Sequence, residues 1–309
     1  MSILREHGTA YLAMRRSLGY KLDGHGRLLM KFISYLEDHG HGTVTTEAAM
    51  SWAAAPAGVT PSYRNRRLSV ARCFARYLSA FDPACQVPPP GLTGPPQPRP
   101  APYLYSPPDI SALIHAAGTL ASPLQAATFQ ALISLLAVTG LRPGEAVALD
   151  ADDVDLDAAL VTVHGKYDRT RLVPLHPGTV AMLRRYRERC RRLCPAPSSP
   201  AFFLSAAGTR LAGSRMDAVF AQLLALAGIT SCVRRPARVH GLRHSFAVAT
   251  LTGWYRDGTD VAARMPLLSA FMGHAGPAST FYYLHAAPEL LGLAAQRLHE
   301  HQQAGKEEP

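Results

Sequence analysis

The chain has 309 residues, of which 48% are hydrophobic; this excludes general disorder and allows about two domains with separate cores. Its formal net charge of +10, from 32 basic and 22 acidic residues, favours a polyanionic partner, with nucleic acid first and an anionic membrane second. The apolar stretch over residues 131–138 is too short to span a bilayer, and the N-terminus carries charge too early for a signal peptide. We therefore expect no membrane association.

The cysteines form an odd set without a disulfide framework: Cys73, Cys85, Cys190, Cys194 and Cys232. Cys190 and Cys194 stand four apart on a predicted helix and could share a face. Two reduced thiols are favoured over half of a metal site, because no nearby histidine pair completes one. These features are typical of a reduced, cytoplasmic protein.

The first predicted unit, residues 1–86, has the pattern of a helical bundle. Apolar residues repeat at helical spacing over residues 28–36, Thr45 or Thr46 caps a short helix, and Pro61 opens another. That last helix carries arginines on a different arc from its apolar stripe: Arg66, Arg72 and Arg76. A solvated basic face is one interpretation, but the overall charge favours contact with DNA phosphates.

A proline-rich segment, residues 87–108, follows. Proline at this density sustains neither a helix nor a central strand, so we expect an extended linker. It separates the first unit from a second over residues 109–302, and residues 303–309 are expected to form a flexible tail. Residues 1–95 carry 11 basic and 6 acidic side chains and the remainder carry 21 and 16, so each part has a net charge of +5. Both parts could therefore meet the same polyanion.

The second unit is predicted to be mixed, so the fold class is mainly α with a small β-sheet. The predicted order begins with an apolar helix over residues 125–139, a strand beginning in 146–149, and strands 160–165 and 171–176 joined by a polar turn. A charged helix over 180–192, a short strand at 201–204 and further helices follow. The acidic run at residues 150–153 is interpreted as a turn beside a strand.

Four short motifs in this unit carry the residues of chemical interest. They occur in a fixed order: Arg142 in TGLRPGE, Lys166 at the hairpin bend, His240 and Arg243 in HGLRHSF, and His274 in GH, nine residues before Tyr283 in FYYLH. Each alone is more often a surface, turn or packing residue. Residues three apart on a helix share a face, so His240 and Arg243 are expected to meet one target. The joint order is much more specific than any single motif.

Together these motifs resemble those of the tyrosine recombinase family, which includes phage integrases, Xer-type resolvases and transposon integrases. The resemblance covers about residues 105–298, and the first unit resembles the family's helical core-binding domain more loosely. It implies that six residues are catalytic: Arg142, Lys166, His240, Arg243, His274 and Tyr283. Glu145, close to Arg142 in the chain, is expected to hold the site in place without itself being one of the catalytic residues.

The chemistry explains these residue types. Charge builds on the non-bridging oxygens of an attacked phosphodiester, and permanently charged arginines neutralise it through paired N–H donors. Tyr283 would attack, His240 would assist proton transfer, His274 would hydrogen-bond the phosphate, and Lys166 would protonate the leaving 5′ oxygen. The product is a 3′-phosphotyrosyl link that a second 5′ hydroxyl can reseal. No metal, ATP or other cofactor is expected, and the partners implied are double-stranded DNA and a tetramer assembled on it.

Several alternatives stay open. Tyr282 is a second candidate nucleophile, although register favours Tyr283, and the stretch over residues 253–258 is longer than in compact family members. The apolar segment 288–299 could dock on a neighbouring subunit or fold back on its own unit. A type IB topoisomerase-like enzyme and a non-catalytic DNA-binding accessory subunit are the rival functions. A metal nuclease is disfavoured because the 13 histidines lack ligand spacing.

Overall fold

The computed structural model describes residues 2–20, 22–94, 102–165, 170–230 and 236–274, together with residues 290, 292, 293, 295 and 296. The chain forms two compact units, residues 1–99 and 100–309. The described ranges are mostly helical with one three-stranded sheet, so the predicted fold class is confirmed. No helix within these ranges has the length and apolar character needed to cross a bilayer.

The first unit is helical, with the bounds α1 Ile3–Ser17, α2 Asp23–Asp38, α3 Thr46–Ala54 and α4 Pro61–Leu78. Side-chain oxygens of Ser2, Thr45 and Thr60 accept hydrogen bonds from backbone N–H groups in the first turns of α1, α3 and α4, which fixes where these helices begin. The apolar stripe of α2 is buried against α4, and Phe32 and Phe74 are fully enclosed. The core of this unit therefore lies where the sequence pattern places it, with α1 as an additional helix.

The linker ends two residues earlier than expected, because Pro107 and Pro108 form the first turn of a helix. Ser106 and Asp109 close a capping box around this turn. Proline is well suited to the first helical position, where its missing N–H has no intrahelical partner to lose. Residues 95–101 lie outside the described part of the chain, apart from their assignment to the two units.

The second unit surrounds a small antiparallel sheet with helices. Its elements are α5 Pro107–Gly118, α6 Pro123–Thr139, α7 Pro143–Ala148, a 3-10 turn at Ala151–Asp153, β1 Val154–Asp155, β2 Leu160–His164, β3 Thr170–Pro174, α8 Pro177–Leu193, α9 Gly213–Leu226, α10 Gly241–Arg256 and α11 Val261–Met272. The strands run in the order β1-β2-β3, with Val161 opposite Val173 and Val163 opposite Arg171.

Helix α6 is the centre of this unit. It is apolar on nearly all sides, and it packs against α5, α8 and α10. A second apolar cluster joins α10 and α11, and Leu290 is buried in it. This one residue of the predicted C-terminal helix thus packs against its own unit. The C-terminal ends of α6 and α11 both lie near α10. The carbonyl groups at these ends can therefore accept hydrogen bonds from polar side chains of α10.

Two predicted strands are wrong. Residues 146–149 belong to the short helix α7 and the loop after it, because Pro143 and Glu145 set up a helical first turn that outweighs the apolar run Ala-Val-Ala-Leu. Residues 201–204 make only two isolated bridges, from Ala201 to Asp150 and from Leu204 to Arg210. Both phenylalanines between them are buried in the core rather than paired in a sheet.

Candidate active site

The turn between α6 and α7 presents Arg142. Gly140 follows the last residue of α6 and has a left-handed backbone (φ +59°) that favours glycine, and a Cβ there would clash with the ring of Phe246. The chain then re-enters a helix at Pro143. Arg142 is the residue just before this helix, and its side chain is 41% exposed. It is therefore accessible to a ligand that approaches from solvent.

Glu145 holds Arg142 from the side of α7. Its carboxylate accepts hydrogen bonds from the Arg142 backbone N–H at 3.0 Å and from Arg142 Nη1 at 2.6 Å. Burial alone would raise the pKa of Glu145, but hydrogen bonds from Arg171 and Arg142 outweigh it and the net shift is downward. Glu145 is thus a charged carboxylate at neutral pH that binds both the backbone and the side chain of Arg142.

Arg171 on β3 is the residue of this network that sequence reasoning missed. It donates from Nη2 to Glu145 Oε2 at 2.7 Å, from Nη1 to Glu145 Oε1 at 3.2 Å, and from Nε to the carbonyl oxygen of Phe271 at 3.1 Å. Residues on one face of a strand alternate, and Arg171 shares its face with the buried Val173 and lies opposite Val163. The sequence feature that could have identified Arg171 is its place as an arginine at a core-facing position of a predicted strand.

Arg243 is almost completely buried, with 2% of its surface exposed, in the first turn of α10. It donates from Nη1 to the carbonyl oxygen of Gly140 at 2.6 Å and from Nη2 to that of Met272 at 2.8 Å. Its Nη2 also lies 2.8 Å from His274 Nε2. A buried charge is tolerated only when it is paired or well hydrogen-bonded, and helix C-termini supply the partial negative charge here.

Three successive carbonyl groups at the end of α11 accept hydrogen bonds from three different arginines. The oxygen of Phe271 binds Arg171, that of Met272 binds Arg243, and that of Gly273 binds Arg142 at 2.8 Å. We call this group the α11 terminus. Its carbonyls lack partners within the helix and carry the negative end of the helix dipole. They therefore bring together three guanidiniums, from the residue before α7, from β3 and from α10.

His274 follows directly after the α11 terminus. Arginine can only donate, so Nε2 of His274 accepts from Arg243 and the proton of the neutral ring is on Nδ1. Burial and the nearby positive charges of Arg243, Arg142 and Arg171 lower the pKa of His274 from 6.5 to about 4. The ring is thus neutral at physiological pH.

His240 lies just before α10; the residue is exposed, but part of its ring is covered by neighbouring groups. Its ring packs edge-on against the ring of His244, with the centroids 5.0 Å apart. Partial burial of the ring, together with the positive charges of Arg243 and Arg142, lowers the pKa of His240. A neutral imidazole at this position can accept a proton, as the sequence-based role requires.

The remaining predicted residues fall elsewhere. Lys166, Tyr282 and Tyr283 lie outside the described residues. The arginines predicted to bind DNA belong to the first unit, where Arg66 and Arg76 are exposed on α4. Arg72 instead donates to the carbonyl oxygens of Pro88 and Pro89, at 2.7 and 2.8 Å, and so attaches the start of the linker to α4.

The electrostatics of the site suit an anionic ligand. Three guanidiniums and one carboxylate, with neutral histidines beside them, leave an excess of positive charge around Arg142. Such a site can bind a phosphodiester and stabilise charge that develops on its oxygens. Within the described ranges, no group of three or more His, Cys, Asp or Glu residues is arranged to hold a metal ion.

The chain is similar to known proteins over most of its length. Residues 106–289 match the model of the phage integrase family. The chain is 41% identical over 308 residues to the putative integrase/recombinase y4rB of Sinorhizobium fredii, covering 96% of this chain and 98% of that protein. It is 28% identical over 301 residues to the tyrosine recombinase XerC of Alcanivorax borkumensis, covering 96% and 94%.

Solved structures share the fold. The Tn1549 transposon integrase in complex with transposon right end DNA matches with a TM-score of 0.65 at 16% identity, covering 95% of this chain and 99% of that one. At this level of identity the likeness concerns the fold alone. All of the predicted site residues except Arg66, Arg72 and Arg76 fall inside the range that matches the family model.

Proposed function

The chain belongs to the phage integrase family, and on this premise we propose that it is a site-specific DNA recombinase acting through a 3′-phosphotyrosyl intermediate. The observation that carries the proposal is the convergence of Arg142, Arg171 and Arg243 on the α11 terminus, with neutral His274 beside them. This is a preformed site for one phosphate group. Because the donors are fixed by helix ends, little reorganisation is needed as charge develops on the phosphate.

The arginines take different parts in the proposed reaction. Arg142, whose side chain is accessible, binds a non-bridging oxygen of the scissile phosphate, and Arg243 binds the same group from the buried side. His274 donates a further hydrogen bond from Nδ1. Glu145 and Arg171 touch no substrate in this scheme; they are positioning residues that hold Arg142 and the α11 terminus in place.

Tyr283 supplies the nucleophilic oxygen. Its hydroxyl loses a proton as the oxygen attacks phosphorus, and His240 assists that transfer. The bond from phosphorus to the 5′ oxygen breaks, and Lys166 gives a proton to that oxygen as it leaves. The phosphotyrosyl ester keeps the energy of the broken bond, so a second 5′ hydroxyl can attack it and release Tyr283. The cycle therefore needs neither a metal ion nor ATP.

The partner in this reaction is double-stranded DNA. Exchange between two duplexes requires four cuts, so we propose that four subunits assemble on the DNA. The helical unit would contribute exposed phosphate-binding arginines, of which Arg66 and Arg76 are the better candidates since Arg72 is engaged by the linker. We place the reaction in the cytoplasm, and a mobile element is the biological setting that we favour.

A recombination assay tests the proposal. The protein first selects duplexes from a random-sequence library, and two copies of a selected duplex are then placed on one plasmid. In EDTA and without ATP, we expect recombinant circles from the wild type and none from Arg142→Gln. Binding without any cleavage would support the accessory-subunit alternative. Relaxation of supercoils without recombinants would support the topoisomerase-like alternative.

A further inference from the structure

Helix α8 carries the largest concentration of positive charge in the second unit. Within Pro177–Leu193 it contains six arginines and one glutamate: Arg184, Arg185, Arg187, Glu188, Arg189, Arg191 and Arg192. Its net charge of +5 equals that of residues 96–309 as a whole, because the rest of that part contains 15 basic and 15 acidic side chains. The rest of residues 96–309 thus carries no net charge as a whole, and α8 accounts for the net positive charge of this part of the chain.

The arginines of α8 are exposed, except for the half-buried Arg187, because the opposite side of the helix is fixed in the core. Leu183, Tyr186 and Cys190 are buried, and the Tyr186 hydroxyl lies 3.2 Å from that of Thr128 on α6 and donates to the carbonyl oxygen of Phe202 at 3.1 Å. This anchoring leaves a broad arc of α8 exposed. None of the described residues of the candidate site lines the groove between α8 and α6.

Few carboxylates neutralise this arc. Arg184 pairs with Asp157 at 2.6 Å and Arg192 with Glu188 at 3.5 Å, and both pairs are largely exposed. Exposed pairs of this kind are weak and easily exchanged for another anion. Among the residues that the structure describes, no carboxylate lies within ion-pair distance of the other arginines of the helix: Arg185, Arg187, Arg189 and Arg191.

The distribution of the arginines favours a duplex over a peptide. At 100° per residue, Arg185, Arg189 and Arg192 lie on one flank of the exposed arc, whereas Arg187 and Arg191 lie on the other. A peptide in the groove of about 640 Å³ between α8 and α6 would meet only the first flank. A helix about 10–12 Å across fits the major groove, about 12 Å wide, so that both flanks face phosphates.

We propose that the arginine face of α8 is a second, sequence-independent DNA-binding surface, separate from the site that cuts. Guanidinium groups suit this role because they bind phosphate oxygens through paired donors without being deprotonated. The ligand of this surface is duplex DNA outside the cleaved site, which either flanks the site or belongs to another DNA molecule. The proposal does not depend on strand transfer.

The test is a salt titration of binding to a random-sequence 30-base-pair duplex by the full chain. The variant Arg185→Gln/Arg191→Gln removes one arginine from each flank of α8, and Arg215→Gln/Arg264→Gln is the matched control with the same loss of charge on α9 and α11. Each phosphate contact contributes about 0.9 to the slope of log affinity against log salt, so we expect the α8 variant to lose roughly 1.8 and the control much less. Equal slopes in the two variants would overturn the proposal.

Two additional measurements extend this test. The first distinguishes the effect of charge from that of side-chain shape, and the second distinguishes DNA from an acidic protein as the ligand. Arg185→Lys/Arg191→Lys keeps the charge and should keep most of the slope; a loss as large as that of the glutamine variant would contradict the electrostatic argument.

A polyglutamate peptide is the second probe. Binding of the peptide that depends on α8, with an unchanged DNA slope, would replace DNA by an acidic protein segment. Because the titration uses uncleaved DNA, its result stands whether or not strand transfer is found.

Discussion

Arg171 donates two hydrogen bonds to the carboxylate of Glu145, at 2.7 and 3.2 Å, and this pair links the hairpin to the helix that presents Arg142. Both side chains are mostly buried, with exposures of 17% and 11%. Since the same carboxylate accepts from Arg142, one negative charge sets the spacing of two guanidiniums. The third bond of Arg171, to the carbonyl oxygen of Phe271, extends the link to the α11 terminus.

Removing the carboxylate charge should loosen this network. In Glu145→Gln the side chain keeps its shape but leaves two guanidiniums without their counterion, so we expect a loss of about 2–3 kcal/mol in the free energy of unfolding and at least a tenfold slower cleavage. Urea denaturation and single-turnover cleavage measure these quantities. Glu37→Gln, which removes a more exposed carboxylate paired with Arg5 in the first unit, is the control and should lose much less stability, because water screens this pair. A Glu145→Gln variant that behaves like this control would remove the positioning role.

Gly273 allows the α11 terminus to approach Arg171. Its backbone is left-handed (φ +67°), and a Cβ there would lie 2.6 Å from Arg171 Nη1 and 2.8 Å from its Cζ. Gly273→Ala should therefore displace a guanidinium that two other contacts hold in place, and we expect cleavage at least tenfold slower than in the wild type.

Gly228→Ala is a close control for this change. Gly228 has the same backbone conformation (φ +68°) after α9, and nothing lies within 4 Å of the Cβ that alanine would add. Both variants should lose about 1–2 kcal/mol of stability from the left-handed backbone, whereas only Gly273→Ala should lose activity. Equal cleavage rates in the two variants would show that the contact with Arg171 does not matter.

The sequence predicted much of this architecture because most helices carry their own start and stop signals. The apolar helix before Gly140 and the hairpin were found through periodicity, and the second unit's fold class followed from them. Residues 146–149 were assigned to a strand, since four apolar residues are too few to show a period. The decisive signal was local: Pro143 and Glu145 mark a helical first turn.

The site was predicted less completely than the fold. The motifs indicated Arg142, Arg243 and His274, and the structure brings these three together. Arg171 was missed, because its partner carbonyl on Phe271 is 100 residues away and only the folded chain joins them. The even division of charge between the two parts of the chain also concealed the fact that the excess in the second part is located on α8.

Acidification should destabilise the second unit. The pKa of His274 is about 4 in the folded chain and its ordinary value is 6.5, so the unfolded chain binds more protons between these values. The free energy of unfolding should therefore fall as the pH is lowered from about 6.5 towards 4. His274→Gln should show a smaller fall than the wild type, and His115→Gln, on the exposed side of α5, should not differ from the wild type. Urea midpoints at intervals of half a pH unit measure this, and identical curves for all three proteins would contradict the assignment.

Lys166 is predicted to protonate the leaving 5′ oxygen. Lys166→Ala should slow cleavage by about 10²–10⁴-fold, the usual contribution of a general acid. A substrate with sulfur in place of that oxygen should restore the rate, because the thiolate of a thiol with a pKa of ~8.5 leaves without being protonated. Arg142→Gln should gain no such recovery, since its defect is in charge stabilisation. If sulfur fails to restore Lys166→Ala, another group is the acid.

The most direct test of the central claim is to trap the covalent intermediate. A selected duplex carrying a nick beside the cleavage position loses a short strand after attack, so that the protein remains attached to the DNA on a denaturing gel. Wild type and Tyr282→Phe should give the shifted band, and Tyr283→Phe should give none while it still binds the duplex. A band that persists in Tyr283→Phe and disappears in Tyr282→Phe would contradict the assigned nucleophile, and no band from a wild type that binds the duplex would contradict the proposed reaction itself.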